Sequence, residues 1–173
     1  MKVNEIVTTN EQKTRIYCDL DGVLVDFDRW ADDQLGYRPS DWDSDAKDQF
    51  WSDVKILVDS GSSFFGDMHP ISDAFVLWNY IKGYDPTILS ATGRIDTAPA
   101  EKRAWVKKYL GYKFALTAVL VPKAINKAQH ATPNSILIDD RVKAIDPWIA
   151  AGGIGILHTS AADTIKQLKQ LGL

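Results

Sequence analysis

The sequence predicts an α/β fold in which a central parallel sheet is covered by helices. Five short apolar runs, each long enough for one buried strand, alternate with segments whose apolar residues recur at helical spacing. The runs are RIYCDL, PTILSA, LTAVLV, SILIDD and GIGILH. Parallel strands need long crossover connections, which are usually helical, so this alternation indicates a parallel sheet with helices on its faces.

Three segments carry the helical pattern: ISDAFVLWNYIKG, APAEKRAWVKKYLG and AADTIKQLKQLG. In the second, we expect Ala104, Trp105 and Tyr109 to face inward and the lysines to face water. Gly111 is placed to end this helix, because glycine readily adopts the left-handed conformation that follows a helix.

The domain organisation follows from length and composition. A chain of 173 residues with 45% hydrophobic content can bury one good core. We expect a flexible tail over residues 1–14 and a core formed by residues 15–27 and 69–173. Residues 28–68 are rich in Asp, Trp and Ser and have no apolar run suited to a buried strand, so they predict a small helical insertion after the first strand.

Charge and composition exclude several classes of protein. A net charge of −3 and a pI near 5.5 argue against wrapping long nucleic acid and favour a small-molecule partner. The single cysteine, Cys18, lies in an apolar run, as expected of a buried thiol in a reducing compartment. The sequence has neither a membrane-length apolar stretch nor a signal-peptide core, and we expect a cytoplasmic protein.

Polar side chains gather where the predicted strands end, which is where open parallel sheets bind ligands. Carboxylates that converge there repel, because two unit charges about 4 Å apart cost about 4 kcal/mol at an effective dielectric constant of about 20. Such a cluster needs a cation, and hard oxygen ligands without His or Cys favour Mg²⁺. The polar residues are Asp19, Asp21, Ser90, Thr92, Lys123, Lys127, Asp139 and Asp140.

The order of these residues resembles the haloacid dehalogenase (HAD) superfamily of phosphohydrolases. CDLDGV matches the superfamily's first motif, a strand followed by D-x-D-G-T/V, and ILSATG matches the second, a strand that ends in Ser or Thr. A lysine fits the third motif and ILIDD the fourth. The resemblance implies a three-layer, Rossmann-like core with a central parallel sheet and a small helical cap inserted after the first strand.

Within that superfamily the chain is most similar to the 5′(3′)-deoxyribonucleotidases. DLDGVLVDF is close to the family's DMDGVLADF, and EKRAWVKKYLG to its EKYAWVEKYFG. The aromatic pair FW, the FF before a proline and LIDDR also correspond, so the similarity covers roughly residues 16–158. It implies phosphomonoester hydrolysis of a nucleoside monophosphate and suggests a homodimer.

The resemblance assigns the catalytic roles. Asp19 would attack phosphorus and form an aspartyl-phosphate, while Asp21 would act as acid and then as base. To serve as a base, Asp21 must titrate nearer neutrality than a free Asp, and crowding by other carboxylates would raise its pKa. Ser90 and the third-motif lysine would hold the phosphoryl oxygens.

The resemblance also assigns the metal site. Mg²⁺ would bind the carboxylates of Asp19 and Asp139 and the backbone carbonyl of Asp21, with Asp140 supporting this set. Gly22 allows the sharp turn that follows the two acids.

Two basic positions leave alternatives open. The third-motif lysine is Lys127 or Lys123; we favour Lys127, which needs the shorter insertion before the IDD motif. Arg94 stands where the family has a lysine that helps to hold phosphate, and a guanidinium can grip phosphate through two hydrogen bonds. The alternative for Arg94 is a solvated charge on a loop.

The substrate contacts follow the family less closely. Phe27, Phe50 and Trp51 offer ring faces that can stack on a base, although plain packing of the cap explains them nearly as well. Ala91 replaces the second of two adjacent hydroxyl residues, and Thr92 compensates in this interpretation. The cap is also shorter and more acidic than the family's.

Three functional hypotheses follow. The first is a Mg²⁺-dependent phosphomonoesterase that acts on deoxyribonucleoside monophosphates. The second keeps this chemistry but changes the substrate to another small phosphate ester or the terminal phosphate of a polynucleotide. The third is a non-catalytic nucleotide-binding module, which would be expected to have lost the nucleophile or the acid; Asp19 and Asp21 are both present.

Overall fold

The computed structural model describes residues 14–37 and 44–173. In chain order its elements are β1 Arg15–Cys18, α1 Phe27–Leu35, α2 Ser44–Asp59, α3 Ala74–Ile81, β2 Thr87–Ala91, α4 Ala98–Tyr109, α5 Tyr112–Thr117, β3 Val119–Val121, β4 Ser135–Asp139, α6 Val142–Ala150, β5 Ile154–Leu157 and α7 Ala161–Gln170. Two 3₁₀ turns, Lys82–Tyr84 and Ala124–His130, precede β2 and β4. The tail expected over residues 1–14 lies, apart from residue 14, outside the described residues.

The five strands form one parallel sheet in the order β3-β2-β1-β4-β5. β1 is therefore the central strand, with Cys18 in register with Ile88 of β2 and with Ile138 of β4. The predicted α/β class is confirmed, and each of the five apolar runs contains one strand. The run LTAVLV forms a strand only from Val119 onward, because its first two residues complete α5.

The sheet is covered on both faces, which gives the fold three layers. Successive side chains of a strand point to opposite faces. Cys18 accordingly packs in the core that contains Trp105 of α4, while Tyr17 packs in a second core with Trp148 of α6. β4 alternates in the same way and is buried along its whole length. Strands buried on both faces explain why the sequence shows continuous apolar runs.

Helix α4 differs from its predicted orientation. Trp105 is buried and Tyr109 half-buried as expected, but Ala104 is exposed. The buried stripe runs through Lys102, Trp105 and Val106, so the expectation that every lysine of this helix faces water is wrong for Lys102. The physical reason is that the Lys102 amine finds polar partners inside the protein, described below.

The described part of the insertion consists of helices α1 and α2 and the chain that returns from them. Its entry and exit are hydrogen-bonded side by side: the Asp26 amide donates to the His69 carbonyl (2.8 Å), and the Ile71 amide to the Leu24 carbonyl (3.0 Å). α1 ends at Gly36, whose φ of 73° is left-handed. Residues 38–43 of the insertion, which include Trp42 and the acidic residues Asp41 and Asp43, lie outside the described residues.

An aromatic cluster joins the insertion to the core. Neighbouring ring centroids within it lie 4.9–6.4 Å apart, and most pairs are tilted or edge-on, the geometry that aromatic pairs prefer. Its members are Phe27, Trp30, Phe50, Trp51 and Phe64.

Among the helices of residues 14–37 and 44–173, none combines the length and the apolar character that a membrane crossing requires.

Candidate active site

The sheet brings the predicted acidic residues to one edge. Asp19 follows β1, Ser90 lies near the end of β2, and Asp139 ends β4. Since β1 lies between β2 and β4, Asp19 stands between the other two, and all three side chains are buried. The Asp19 amide donates to the Ile138 carbonyl (3.0 Å), which extends the β1–β4 pairing to Asp19 itself.

A tight turn at Gly22 follows the two acids. Gly22 has a left-handed φ of 73°, and its amide donates to the Val25 carbonyl (3.0 Å). A Cβ at this position would lie 2.2 Å from Oδ2 of Asp140, so a side chain here would displace that carboxylate. Position 22 therefore requires glycine both for its backbone conformation and for the close approach of Asp140.

Lys127 lies at the centre of the acidic residues. Its Nζ is 2.8 Å from Oδ2 of Asp19 and 2.5 Å from Oδ2 of Asp139, and its side chain is 1% exposed. Burial opposes the charge of the amine, but the two carboxylates outweigh burial and raise the pKa of Lys127. Lys123, the alternative third-motif lysine, is exposed. This placement favours Lys127 for the third motif.

A second buried lysine, Lys102, was not predicted to be in the site. Its Nζ donates to Oδ2 of Asp21 (2.7 Å) and to Oγ of Ser90 (3.0 Å), and it lies 4.0 Å from the centroid of the Phe65 ring. Its sequence signal was helical spacing, since position 102 lies one turn before the buried Trp105 and on the same face. Helical spacing alone does not identify Lys102 as a site residue, because lysines on a helix usually face water.

Asp19 and Asp21 differ in electrostatic environment although they are two residues apart. Burial favours the protonated form of Asp19, but the charges of Lys127 and Lys102 outweigh it and hold the pKa of Asp19 below its usual value. For Asp21, burial is the largest influence and repulsion from Asp19 adds to it. The pKa of Asp21 is raised in spite of Lys102.

The residues suited to bind a cation are Asp19, Asp139 and Asp140, whose carboxylate oxygens lie within 4.8 Å of one another. Burial and the Asp19 charge raise the pKa of Asp139 to about 6. Desolvation, followed by the charges of Asp19 and Asp139, raises the pKa of Asp140 to about 8. Oδ1 of Asp19 is buried without a hydrogen-bond partner. An unpartnered carboxylate oxygen beside two crowded carboxyl groups fits a hard divalent cation such as Mg²⁺.

The carboxylate of Asp21 is not one of these three groups; its Oδ2 accepts a hydrogen bond from Lys102, and its Oδ1 is buried without a hydrogen-bond partner. Its backbone carbonyl is the group that the sequence analysis assigned to the metal.

Three predicted substrate-site residues follow or end β2. The amide of Thr92 donates to the Val121 carbonyl of β3 (2.9 Å), and Ala91 is half-buried at the strand end. The guanidinium of Arg94 is 2.6 Å from a carboxylate oxygen of Asp48 on α2 and is more than half exposed. In this structure Arg94 is therefore paired with the insertion rather than solvated alone.

The three aromatic candidates separate into two groups. Phe50, on α2, is completely buried and its ring packs against Phe27 of α1, which favours the packing alternative; its place in the substrate site stays a prediction. Phe27 and Trp51 are half-buried. The Trp51 ring lies 3.7 Å from where a Cβ of Gly93 would be, which places it beside the loop that follows β2.

Comparisons with known proteins identify the class of fold. No family model matches the sequence, and no curated protein matches it. Solved structures do match. One, described as a predicted phosphatase from Clostridium acetobutylicum, is 13% identical with a TM-score of 0.54 over 93% of this chain and 99% of that chain.

Two further structures have comparable scores. A HAD-superfamily hydrolase from Ehrlichia chaffeensis is 15% identical with a TM-score of 0.51, over 94% of this chain and 98% of that chain. A haloacid dehalogenase-like hydrolase from Streptococcus pneumoniae is 18% identical with a TM-score of 0.51, over 88% and 90%. The chain therefore has the fold of HAD-superfamily hydrolases, with an aspartate cluster at the carboxyl edge of its sheet.

Proposed function

We propose that this protein is a Mg²⁺-dependent phosphomonoesterase that hydrolyses deoxyribonucleoside monophosphates to nucleoside and phosphate. The observation that carries the proposal is the meeting of Asp19, Asp139 and Asp140 with the buried amines of Lys102 and Lys127 at one edge of the sheet. The pKa directions agree with it, because the pKa of Asp19 is lowered and the pKa of Asp21 is raised. A carboxylate nucleophile must be ionised and a general acid protonated. Each residue thus favours the form that its role needs.

In the first half of the proposed reaction, a carboxylate oxygen of Asp19 attacks phosphorus. The bond between phosphorus and the ester oxygen breaks, and Asp21 transfers its proton to the departing alkoxide. The products are free nucleoside and a phosphoryl group bonded to Asp19.

In the second half, Asp21 is ionised and takes a proton from water. The water oxygen bonds to phosphorus, the bond to Asp19 breaks, and inorganic phosphate forms. The raised pKa of Asp21 suits this alternation, because a group that titrates nearer neutrality both gives and accepts a proton.

The phosphoryl oxygens need positive charge and hydrogen-bond donors. Lys127 contacts Asp19 from the side of Asp139, and Lys102 and Ser90 approach from the side of Asp21. Asp19, Asp139 and the backbone carbonyl of Asp21 would hold Mg²⁺, with Asp140 beside them. The ion would supply charge neutralisation as an anionic nucleophile meets an anionic ester.

The nucleotide part of the proposal rests on the resemblance to the deoxyribonucleotidases and on the half-buried rings of Phe27 and Trp51. A second candidate is a phosphatase for another small phosphate ester or a polynucleotide end. The burial of Phe50 and the missing hydroxyl at Ala91 favour this candidate, since both remove contacts expected in a nucleotide site.

The test is phosphate release from 5′- and 3′-deoxyribonucleoside monophosphates and from 4-nitrophenyl phosphate, with Mg²⁺ or with EDTA. Asp19→Asn serves as the inactive control, because it keeps the shape of the side chain but removes the nucleophile. We expect Mg²⁺-dependent release from one or a few nucleotides, reduced at least about a thousandfold in Asp19→Asn.

Each outcome selects one hypothesis. Turnover of 4-nitrophenyl phosphate but of no nucleotide would support phosphomonoester hydrolysis and favour the second candidate, a phosphatase for another ester. If no ester is hydrolysed but calorimetry detects nucleotide binding, the result would favour the hypothesis of a non-catalytic nucleotide-binding module.

A further inference from the structure

We propose that Glu101 is a positioning residue that holds the Phe65 ring over Lys102 and thereby directs the Lys102 amine onto Asp21 and Ser90. The inference deepens the proposed function and rests on it, because it assigns the amine a part in phosphoryl transfer. It concerns a carboxylate outside the acidic cluster.

The Glu101 carboxylate organises the chain that returns from the insertion. Its Oε2 accepts hydrogen bonds from the Phe65 amide (2.5 Å), the Gly66 amide (3.3 Å) and the Ser63 hydroxyl (3.2 Å). Burial opposes the charge of Glu101, but hydrogen bonds from the Phe65 amide first, and then from the Thr97 hydroxyl, the Gly66 amide and the Ser63 hydroxyl, hold its pKa below the usual value. Residues 63–66 therefore fold around one ionised oxygen.

Phe65 links Glu101 to the candidate site, because its amide binds Glu101 and its ring contacts the Lys102 amine. The ring is completely buried and its centroid lies 4.0 Å from the Lys102 amine. An ammonium group over a ring face is attracted to it, and the ring also excludes water from the amine. The same amine donates to Oδ2 of Asp21 and to Oγ of Ser90, so the Phe65 ring and these two polar groups contact one buried nitrogen.

Helix α4 holds the returning chain at two points. Glu101 binds residues 63–66, and one turn later the Trp105 indole donates to the Met68 carbonyl (2.9 Å). Lys102 lies between these two anchors on the same helix. The position of the returning chain relative to α4 therefore sets where the Lys102 amine lies, and Glu101 is the charged element of that arrangement.

The test begins with Glu101→Gln, which keeps the length of the side chain but replaces the ionised oxygen pair. We expect kcat for a deoxyribonucleotide to fall about tenfold to a hundredfold, the scale on which a small misplacement acts, with KM nearly unchanged. The loss should be smaller for 4-nitrophenyl phosphate, whose leaving group needs little help from a proton donor. Arg103→Gln is the matched control, because it removes a hydrogen bond of the same helix to the Ala115 carbonyl (2.8 Å) on α5.

A double substitution separates positioning from stability. In a Lys102→Met background, Glu101→Gln should have no further effect on kcat, because its target is gone. An equal loss of kcat in both backgrounds would overturn the proposal. A lower Tm with kcat unchanged would overturn it as well.

A readout without substrate distinguishes failure of this inference from failure of the proposed function. In lysine-labelled protein, the side-chain NMR signals of Lys102, assigned with Lys102→Met, should be displaced by the Phe65 ring. Glu101→Gln should return them toward exposed-lysine positions, and Arg103→Gln should not. If the unsubstituted protein hydrolyses no ester, the proposed function falls; unmoved Lys102 signals in Glu101→Gln would overturn the role of Glu101.

Discussion

The two sides of the candidate site are built in different ways. The acidic side consists of Asp19, Asp139, Asp140 and Lys127, and the α4 side of Asp21, Ser90, Lys102 and Phe65. The acidic side has three carboxyl groups for one amine, whereas the α4 side has one of each.

The construction of each side matches its charge. The acidic groups lie on strand ends or directly beyond them, where the hydrogen bonds of the sheet hold the backbone; the Asp139 carbonyl, for instance, accepts from the His158 amide (2.8 Å). On the α4 side, Asp21 and Ser90 also lie at or just beyond strand ends, but the Lys102 amine and the Phe65 ring come from a helix and from the chain that returns from the insertion. The excess negative charge therefore lies on the side whose carboxylates follow β1 and β4, whereas the side nearer the insertion pairs its one carboxylate with a lysine of the same chain.

The strongest way to break this comparison is to remove each lysine in turn. Lys127→Met leaves two buried carboxylates without their shared cation, and we expect a loss of about 3–5 kcal/mol in the free energy of unfolding without Mg²⁺. Mg²⁺ should restore much of it. Lys102→Met leaves the Asp21 carboxylate without its ion-pair partner, and this carboxylate is not one of those suited to Mg²⁺. The decrease in the free energy of unfolding of Lys102→Met should therefore be the same with and without Mg²⁺. Urea denaturation with Mg²⁺ and with EDTA measures both.

Equal responses of the two variants to Mg²⁺ would contradict the division into two sides. Lys123→Met is the control, because Lys123 is exposed and its loss should change neither stability nor the response to Mg²⁺.

A second prediction separates packing from binding in the aromatic cluster. Phe50→Ala should lower the free energy of unfolding by about 3–5 kcal/mol, because the ring is completely buried and leaves a cavity. Trp51→Ala should destabilise less and raise KM for nucleotides while leaving KM for 4-nitrophenyl phosphate unchanged. Thermal unfolding and steady-state kinetics measure the two effects; a KM change in folded Phe50→Ala alone would reverse the assignment.

A third prediction concerns pH. The pKa values of Asp139 and Asp140 are raised from 3.8 to about 6 and about 8, so the folded chain binds protons more tightly than the unfolded chain. The stability these groups contribute is full below pH 3.8 and is lost as the pH rises through about 6 and about 8. The Tm of metal-free protein should therefore fall between about pH 5 and about pH 8, and Mg²⁺ should flatten this dependence.

The comparison with and without Mg²⁺ isolates the acidic side. Burial lowers the pKa of His158, which removes stability as the pH falls below 6.5, but it does so in both samples. Asp140→Asn should flatten the metal-free curve. Parallel curves with and without Mg²⁺ would show that the cluster binds no cation.

The smallest effect is expected at the exposed ion pair between Arg94 and Asp48. Both side chains are more than half exposed, so Arg94→Met should change the free energy of unfolding by about 1 kcal/mol or less. If Arg94 also holds phosphate, Asp48→Asn should release the guanidinium and lower KM, while Arg94→Met raises it. Equal KM in all three proteins would leave Arg94 as a surface contact.

The parts of the fold and site predicted from the sequence are those set by the sheet. Alternating apolar runs predict strands, and parallel strands must end at one edge of the sheet. The sequence alone therefore predicts that Asp19, Ser90 and Asp139 lie close together. The placement of Lys127 also follows chain order, because the 3₁₀ turn that carries it is the last element before β4.

The rest depends on tertiary contacts that periodicity does not encode. A lysine on a helix is usually solvated, and only the partners offered by Asp21 and Ser90 make burial of Lys102 favourable. Phe50 and Trp51 are adjacent and equally aromatic, yet packing of α2 buries one and leaves the other at the surface of the cluster. Such differences arise when two elements dock.

The Lys127 amine between Asp19 and Asp139 also bears on how the protein is made. A cluster of like charges ordinarily resists compaction until an ion is present, as in small domains that fold only around their metal. Here the chain supplies one positive charge from a turn beside the same strands, so the core can close on its own. If the cluster binds Mg²⁺ as proposed, newly synthesised protein is therefore expected to fold first and to bind the ion afterwards, from whatever supply the compartment maintains.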